Sequence, residues 1–280
     1  VGPTVSREIN PRAFFETEAL VAAVTRKVDA AREAGETIDY LTFVPDGEPT
    51  LDINLGNMID ALRPLEIRIA VISNASLLWR DDVQLVLNKA DWVSLKVDTV
   101  DENIWRRINQ PHPELTLEKI LQGTREFARN RQCELATETM LVAGVNDQPD
   151  SLTAVSEFLA GISPDKAYLA APIRPPAQAH VRVPDEQTIV QGFEIFNSRL
   201  PDVQYLMGYE GDAFVSTDNP QQDLLAITAV HPMREEAVAQ FLSKAGQDWG
   251  LVNDLVKQGE IKAVQFAGRR FYTRRIKPVH

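Results

Sequence analysis

Five segments of this chain place ligand-binding residue types directly after apolar, strand-like runs. The first is Asp46-Gly47-Glu48-Pro49-Thr50, where Gly47 tolerates a positive φ or a close approach of the backbone and Pro49 fixes the chain direction. Such a turn points peptide groups and the Glu48 carboxylate at the end of the strand, where they can receive an ammonium; it is equally an ordinary tight turn. The second, Ile72-Ser73-Asn74-Ala75-Ser76, offers small polar side chains that either bind a ribose or cap the next helix. In the third, Ser94-Leu95-Lys96-Val97-Asp98-Thr99, the period of two puts Ser94, Lys96 and Asp98 on one side of a strand. A lysine and an aspartate are costly to bury unless paired, so they read as a structural ion pair or as a clamp for a zwitterion. The fourth carries Glu138 and runs into Gly144-Val145-Asn146-Asp147, a turn able to meet a ligand through its backbone. Glu138 calls for a cation, a sugar hydroxyl, or Lys96 itself. The fifth, Ala171-Pro172-Ile173-Arg174-Pro175-Pro176, stiffens Arg174 between prolines, which suits a carboxylate or phosphate ligand and serves equally as a rigid connection.

Other chemistries are excluded. The one cysteine, Cys133, permits no internal disulfide, and a reducing, cytoplasmic setting fits it best. His112, His180, His231 and His280 are scattered without ligand spacing, so no metal site is expected from this chain's own residues. No apolar run approaches a membrane span and no signal peptide opens the chain, so no membrane partner is expected. The net charge of −11 argues against nucleic acid binding over the whole surface. Charge is unevenly divided, however: residues 221–280 carry +3 and the remainder −14. That split suggests different partners for the two parts.

The elements that must position these segments alternate. Helices are expected over 11–34, 52–63, 81–88, 101–108, 116–130, 150–160 and 185–199, and strands over 40–44, 67–73, 92–97, 134–142, 167–171 and 203–207. Alternation of this kind makes an α/β fold with a parallel sheet and right-handed crossovers. A full or partial (β/α) barrel is favoured over a doubly wound open sheet, and in both the working face lies at the C-terminal strand ends. Residues 1–207 thus form one domain and 208–222 a linker marked by Gly208, Gly211, Asp218, Asn219 and Pro220. Residues 223–280 follow a different pattern: three short helices (223–230, 234–244, 247–258), then a hairpin of 261–266 and 270–273 about Ala267-Gly268. Three helices and a hairpin is the order of a winged helix.

The order of the strand-end motifs resembles the radical S-adenosylmethionine (SAM) superfamily, and within it a group of small radical SAM proteins. Gly-Glu-Pro after the first strand, Ser-Asn after the next, Gly-Val-Asn-Asp after a strand bearing a glutamate, and Arg-Pro-Pro carry the resemblance, together with Ile108-Asn109-Gln110-Pro111-His112-Pro113 and His231-Pro232-Met233-Arg234. The resemblance implies a partial parallel barrel of the radical SAM type and a [4Fe–4S] cluster held by a CxxxCxxC loop. It also implies a one-electron reductant and reductive cleavage of SAM to a 5′-deoxyadenosyl radical that abstracts hydrogen from a substrate. It places Gly47, Glu48 and Pro49 at the methionyl amine, Ser73 and Asn74 near the ribose and carboxylate, Lys96, Asp98 and Glu138 around the mouth, and Val145 with its turn near the adenine. Arg174 is the candidate for the substrate. This chain lacks CxxxCxxC, and Cys133 is in the wrong place. The expectation is that the first strand and cysteine loop lie upstream of Val1 and that this chain alone is inactive; the rival is a degenerate member that lost its cluster.

In the last segment, Arg269, Arg270, Arg274 and Arg275 flank Phe271 and Tyr272 on the expected hairpin. Four cations and two aromatics there read as a wing that contacts phosphates and stacks on bases, or as a solvated wing. Three functions therefore stand side by side: a radical SAM enzyme, a nucleic-acid-associated radical SAM protein of the tRNA-modifying kind, and a non-catalytic binding or regulatory protein on a degenerate barrel.

Overall fold

In the computed structural model, residues 7–44, 47–172, 175–176, 178, 181–206, 219–230, 232–266 and 268–275 are described. The first helix, α1 (Thr17–Glu33), begins later than the periodicity suggests. Residues 12–15 are instead fastened to 51–54. Arg12 bridges Asp52, the Phe15 N–H donates to the Asp52 carboxylate at 3.2 Å, and the Asn54 amide donates to the Phe15 carbonyl at 3.0 Å. Those tertiary bonds outweigh the local helical preference of the segment after Pro11.

The chain then alternates as β1 (Tyr40–Phe43), α2 (Leu55–Leu62), β2 (Arg68–Ser73), α3 (Asp81–Leu87) and β3 (Trp92–Lys96). It continues through α4 (Glu102–Asn109), α5 (Leu117–Asn130), β4 (Glu134–Met140), α6 (Pro149–Ile162), β5 (Lys166–Ala170), α7 (Glu186–Asn197) and β6 (Val203–Leu206). The six strands form one sheet in the order β1-β2-β3-β4-β5-β6, every neighbouring pair parallel. Spatial order follows chain order without reversal, which is the winding of a barrel wall and excludes the doubly wound alternative. Among the described residues β1 and β6 remain edges, so the barrel is partial.

Alternation assigns the two faces. Leu41, Phe43, Ile69, Val71, Val93, Leu95 and Leu135 belong to one apolar cluster with α2, α3 and α5, while Ala167, Leu169 and Val203 join a second cluster with α6 and α7. The opposite, concave face carries Tyr40, Arg68, Trp92, Glu134 and the residues in step with them. At its lower end Arg68 pairs with Glu134 at 3.0 Å and lies over the Tyr40 ring at 4.7 Å.

The last part has its own core. Helices α8 (Pro220–Val230), α9 (Glu235–Lys244) and α10 (Trp249–Lys257) enclose Leu224, Phe241, Leu242, Val252 and Leu255 with Met233, Ile261 and Tyr272. Strands β7 (Met233–Arg234), β8 (Ile261–Phe266) and β9 (Arg269–Arg274) make an antiparallel sheet in the order β7-β9-β8. The two-residue β7 was not expected from sequence, since so short a strand carries no periodicity. Pro220, Gln221 and Gln222, read as the end of a linker, form the first turn of α8; Gly208, Gly211 and Asp218 lie outside the described residues.

Candidate active site

Two clasps tie the C-terminal strand ends together. The first is built on Glu48. Its carboxylate accepts from the Thr50 hydroxyl at 2.7 Å, the Thr50 N–H at 3.2 Å, the Ser73 hydroxyl at 2.8 Å and the Asn74 N–H at 2.7 Å. One side chain therefore caps the short 3₁₀ turn Pro49–Leu51 and bolts it to the end of β2. Glu48 is buried, and burial pushes its carboxyl above the ordinary carboxylate range, with the Thr50, Asn74 and Ser73 hydrogen bonds pulling it back only in part. The carboxylate is thus spent inside the protein rather than offered to the mouth. Gly47 has no positive φ, and a Cβ there would meet nothing within 4 Å, so its role in the turn is open space on the exposed side. Beyond Asn74 the chain bends through Ala75 at φ +63°, uncommon for a residue with a side chain.

The second clasp is built on Asp98, which is also buried. Its carboxylate accepts from the Met140 N–H at 2.9 Å and the Asn109 amide at 3.1 Å, and its carbonyl accepts from the Asn146 amide at 2.8 Å. Asn146 also donates to the Met140 carbonyl at 2.9 Å and accepts from the Val142 N–H at 2.8 Å. The Gly144–Asp147 turn, with Gly144 at φ +68°, is thereby fixed onto the ends of β3 and β4. Val145 lies on it, half-buried. Burial pushes the Asp98 carboxyl upward against the pull of Lys96.

Lys96 stands directly opposite Glu138 in the register, with Nζ 3.0 Å from Oε1. Their side chains are 24% and 22% exposed, so the pair is reachable from solvent. Burial works against the Lys96 ammonium, but Asp98 and Glu138 outweigh it, and the lysine holds its proton more tightly than usual. Both alternatives left by the sequence meet here: an ion pair exists, and it remains accessible to a ligand.

The structure brings Glu48, Pro49, Ser73, Asn74, Lys96, Asp98, Glu138 and Val145 to one edge of the sheet. Arg174 lies outside the described residues. Sequence reasoning missed Thr50, Asn109 and Asn146 as the residues that hold this edge, although Asn109 and Asn146 stand in two of the motifs that carried the resemblance. It also overstated the hairpin. Phe271 and Tyr272 are 1% and 7% exposed, and Tyr272 lies against Trp249 with ring centres 5.7 Å apart. They are core residues and cannot stack on bases. Arg270 pairs with Glu235 at 3.1 Å, while Arg269, Arg274 and Arg275 are exposed.

A parallel partial barrel with polar clasps at its C-terminal strand ends defines a class of α/β enzymes that work at that face. The radical SAM superfamily model matches residues 11–153. The chain is 41% identical over 279 residues to a UPF0026 protein of Methanocaldococcus jannaschii, covering 99% of this chain and 86% of the relative. The chain belongs to the radical SAM superfamily. Its fold is similar to a radical SAM methyltransferase from Sphaerobacter thermophilus, with a TM-score of 0.52, 18% identity, and 69% of this chain and 59% of that chain covered. It is likewise similar to Streptococcus suis SuiB bound to S-adenosylmethionine, with a TM-score of 0.53, 11% identity, and 75% and 48% covered.

Membership implies SAM and a [4Fe–4S] cluster. The donor set of this chain does not fit the cluster, which needs several thiolates. The one cysteine precedes β4 at the N-terminal end of the sheet, away from both clasps, and burial pushes its thiol up to about 11. Among the described residues no group of three or more His, Cys, Asp or Glu could hold a metal ion. The donor set does fit SAM. The Asn74 amide, the Lys96 ammonium and the Glu138 carboxylate offer donors and acceptors for a zwitterion and sugar hydroxyls, beside the open space at Gly47. No helix among the described residues is long and apolar enough to cross a membrane.

Proposed function

We propose that the clasped edge is the SAM-binding face of a radical enzyme, with the cluster thiolates not drawn from this chain's own residues. The observation that carries this reading is the way Glu48 and Asp98 spend buried carboxylates on holding four strand-end segments in place. Such pre-organisation is what a ligand site requires. In this reading Gly47–Pro49 shape the floor, Ser73 and Asn74 serve the ribose and carboxylate, Lys96 and Glu138 serve the zwitterion, and Val145 flanks the adenine. Reduction of bound SAM would supply a radical for hydrogen abstraction. This chain alone is then a SAM binder without radical chemistry. We read residues 223–280 as a winged-helix-like module, on the support of the element order and the β7-β9-β8 sheet.

Equilibrium dialysis with S-adenosylhomocysteine tests the reading, since it needs no cluster. Saturable binding to the 280-residue chain, weakened about tenfold by Asn74→Ala through one lost hydrogen bond, is the expected result. Absence of saturable binding contradicts it. Incubation with iron and sulfide should give no stable [4Fe–4S] absorbance; a stable cluster would overturn the statement that this chain lacks the ligands.

A further inference from the structure

The register sets small residues between two rows of large ones on the concave face. Ser94 pairs Ile72 on one side and Ala136 on the other, and two residues earlier Trp92 pairs Ala70. Ala70, Ser94 and Ala136 alternate with Ile69, Val71, Val93, Leu95 and Leu135 of the helix-facing cluster, so all three stand on the concave side. They lie on three adjacent strands, a span of roughly 10 Å at about 4.8 Å per strand. In the row above stand Lys96 and Glu138, and in the row below Trp92 and Glu134. A floor of two alanines and a serine between such walls is a recess, one row below the residues assigned to the cofactor.

Ser94 is 3% exposed, yet its hydroxyl meets no partner among the described residues. The described hydroxyls that are both unpaired and sealed from solvent belong to Thr137 and Ser151, so the Ser94 oxygen is one that solvent still reaches. The Trp92 indole N–H is also without a partner among the described residues, two positions away on the same strand face and about 7 Å along it. A nearly buried hydroxyl without a partner costs stability that a ligand restores. The charges around the recess are already matched: Lys96 by Glu138, Arg68 by Glu134 and Lys166 by Asp202. A charged ligand finds no free counter-ion there, and a neutral one needs none. An indole donor and a hydroxyl that both donates and accepts, over a flat floor, match the carbonyl and N–H of an amide.

We propose that the recess over Ala70, Ser94 and Ala136 receives an uncharged amide group of the substrate, held by the Ser94 hydroxyl and the Trp92 indole N–H. This rests on the reading of Asn74, Lys96 and Glu138 as the cofactor row, beneath which the substrate group would lie. It makes Ser94 and Trp92 specificity-determining residues and leaves the Lys96–Glu138 pair to the cofactor.

The test uses 5-fluorotryptophan incorporated throughout the chain, whose four tryptophans are followed by ¹⁹F NMR, with the Trp92 resonance assigned by Trp92→Phe. Benzamide should shift the Trp92 resonance saturably, and benzoate, of the same shape but charged, should bind at least tenfold more weakly. Ser94→Ala should weaken benzamide about tenfold, and Ser94→Leu, which fills the recess, should abolish its binding, both with unchanged circular dichroism. S-adenosylhomocysteine, measured separately by dialysis, should bind without displacing benzamide. A silent Trp92 resonance, an equal response to benzoate, indifference to Ser94→Ala, or displacement by S-adenosylhomocysteine overturns the proposal; displacement would make the recess part of the cofactor's own site. Failure of S-adenosylhomocysteine to bind while benzamide still shifts Trp92 counts against the cofactor reading instead.

Discussion

The two buried carboxylates at the working edge solve the same problem differently. Glu48, between β1 and β2, is surrounded by neutral donors: two hydroxyls and two backbone N–H groups. Asp98, between β3 and β4, takes neutral donors as well but sits beside the Lys96 ammonium, which Glu138 shares. The first arrangement is closed and complete. The second leaves the Lys96–Glu138 ion pair beside it about a quarter exposed, with spare hydrogen-bonding capacity on Glu138. A saturated carboxylate such as Glu48 holds backbone in place, whereas the accessible, charge-compensated Glu138 beside Asp98 is free to exchange a protein partner for a ligand.

That contrast can be broken at Glu48 first. Glu48→Ala strands four donors in a buried place, and a loss of about 3 kcal/mol is expected, seen as a fall in Tm of about 5–10 °C. A change below 1 °C would mean that Glu48 is not a structural clasp. Lys96→Met should cost less, about 2 kcal/mol, because Glu138 can turn toward water. A double-mutant cycle of Lys96→Met with Glu138→Gln should return a coupling of about 1 kcal/mol. Zero coupling would reduce the pair to a passive contact.

A pH series sharpens the comparison. The folded-state pKa of Glu48 is raised, so the folded protein binds its proton more tightly than the unfolded chain does. Its contribution to stability is therefore full below the ordinary carboxylate pKa and is lost as pH rises through the folded value. Lys96 is also raised, and its contribution persists until pH climbs past the ordinary lysine value. Urea melts from pH 4 to 7 should show that Glu48→Gln removes a stability decrement that wild type acquires as pH rises. An unchanged slope would contradict the assignment. The smallest effect belongs to the C-terminal hairpin, where Arg270→Ala, breaking the exposed pair with Glu235, should change stability by no more than about 0.5 kcal/mol.

Much of this was legible in the sequence, for reasons that can be traced to particular residues. The alternation of apolar strands and amphipathic helices sets the parallel sheet, and the period of two in Ser94–Asp98 correctly joins Lys96 to Asp98 on one side. What escaped notice depends on partners distant in the chain. Nothing local in residues 12–15 announces that Asp52 will capture them in place of a helical turn. Glu48 reads as a ligand residue until Ser73 and Asn74, some 25 positions away, arrive to saturate it. Phe271 and Tyr272 read as a stacking platform because the hairpin's burial against Trp249 and α9 is not visible in a short basic run.

The central claim is the location of the cofactor face, and photolabelling with an 8-azido analogue of SAM tests it most directly. Peptide mapping after irradiation should place the label on segments containing 47–50, 73–76, 96–98 or 138–147, with competition by S-adenosylhomocysteine. Label confined to the groove along Asp185–Glu194, at the start of α7, or to the module of residues 219–275 would contradict the account.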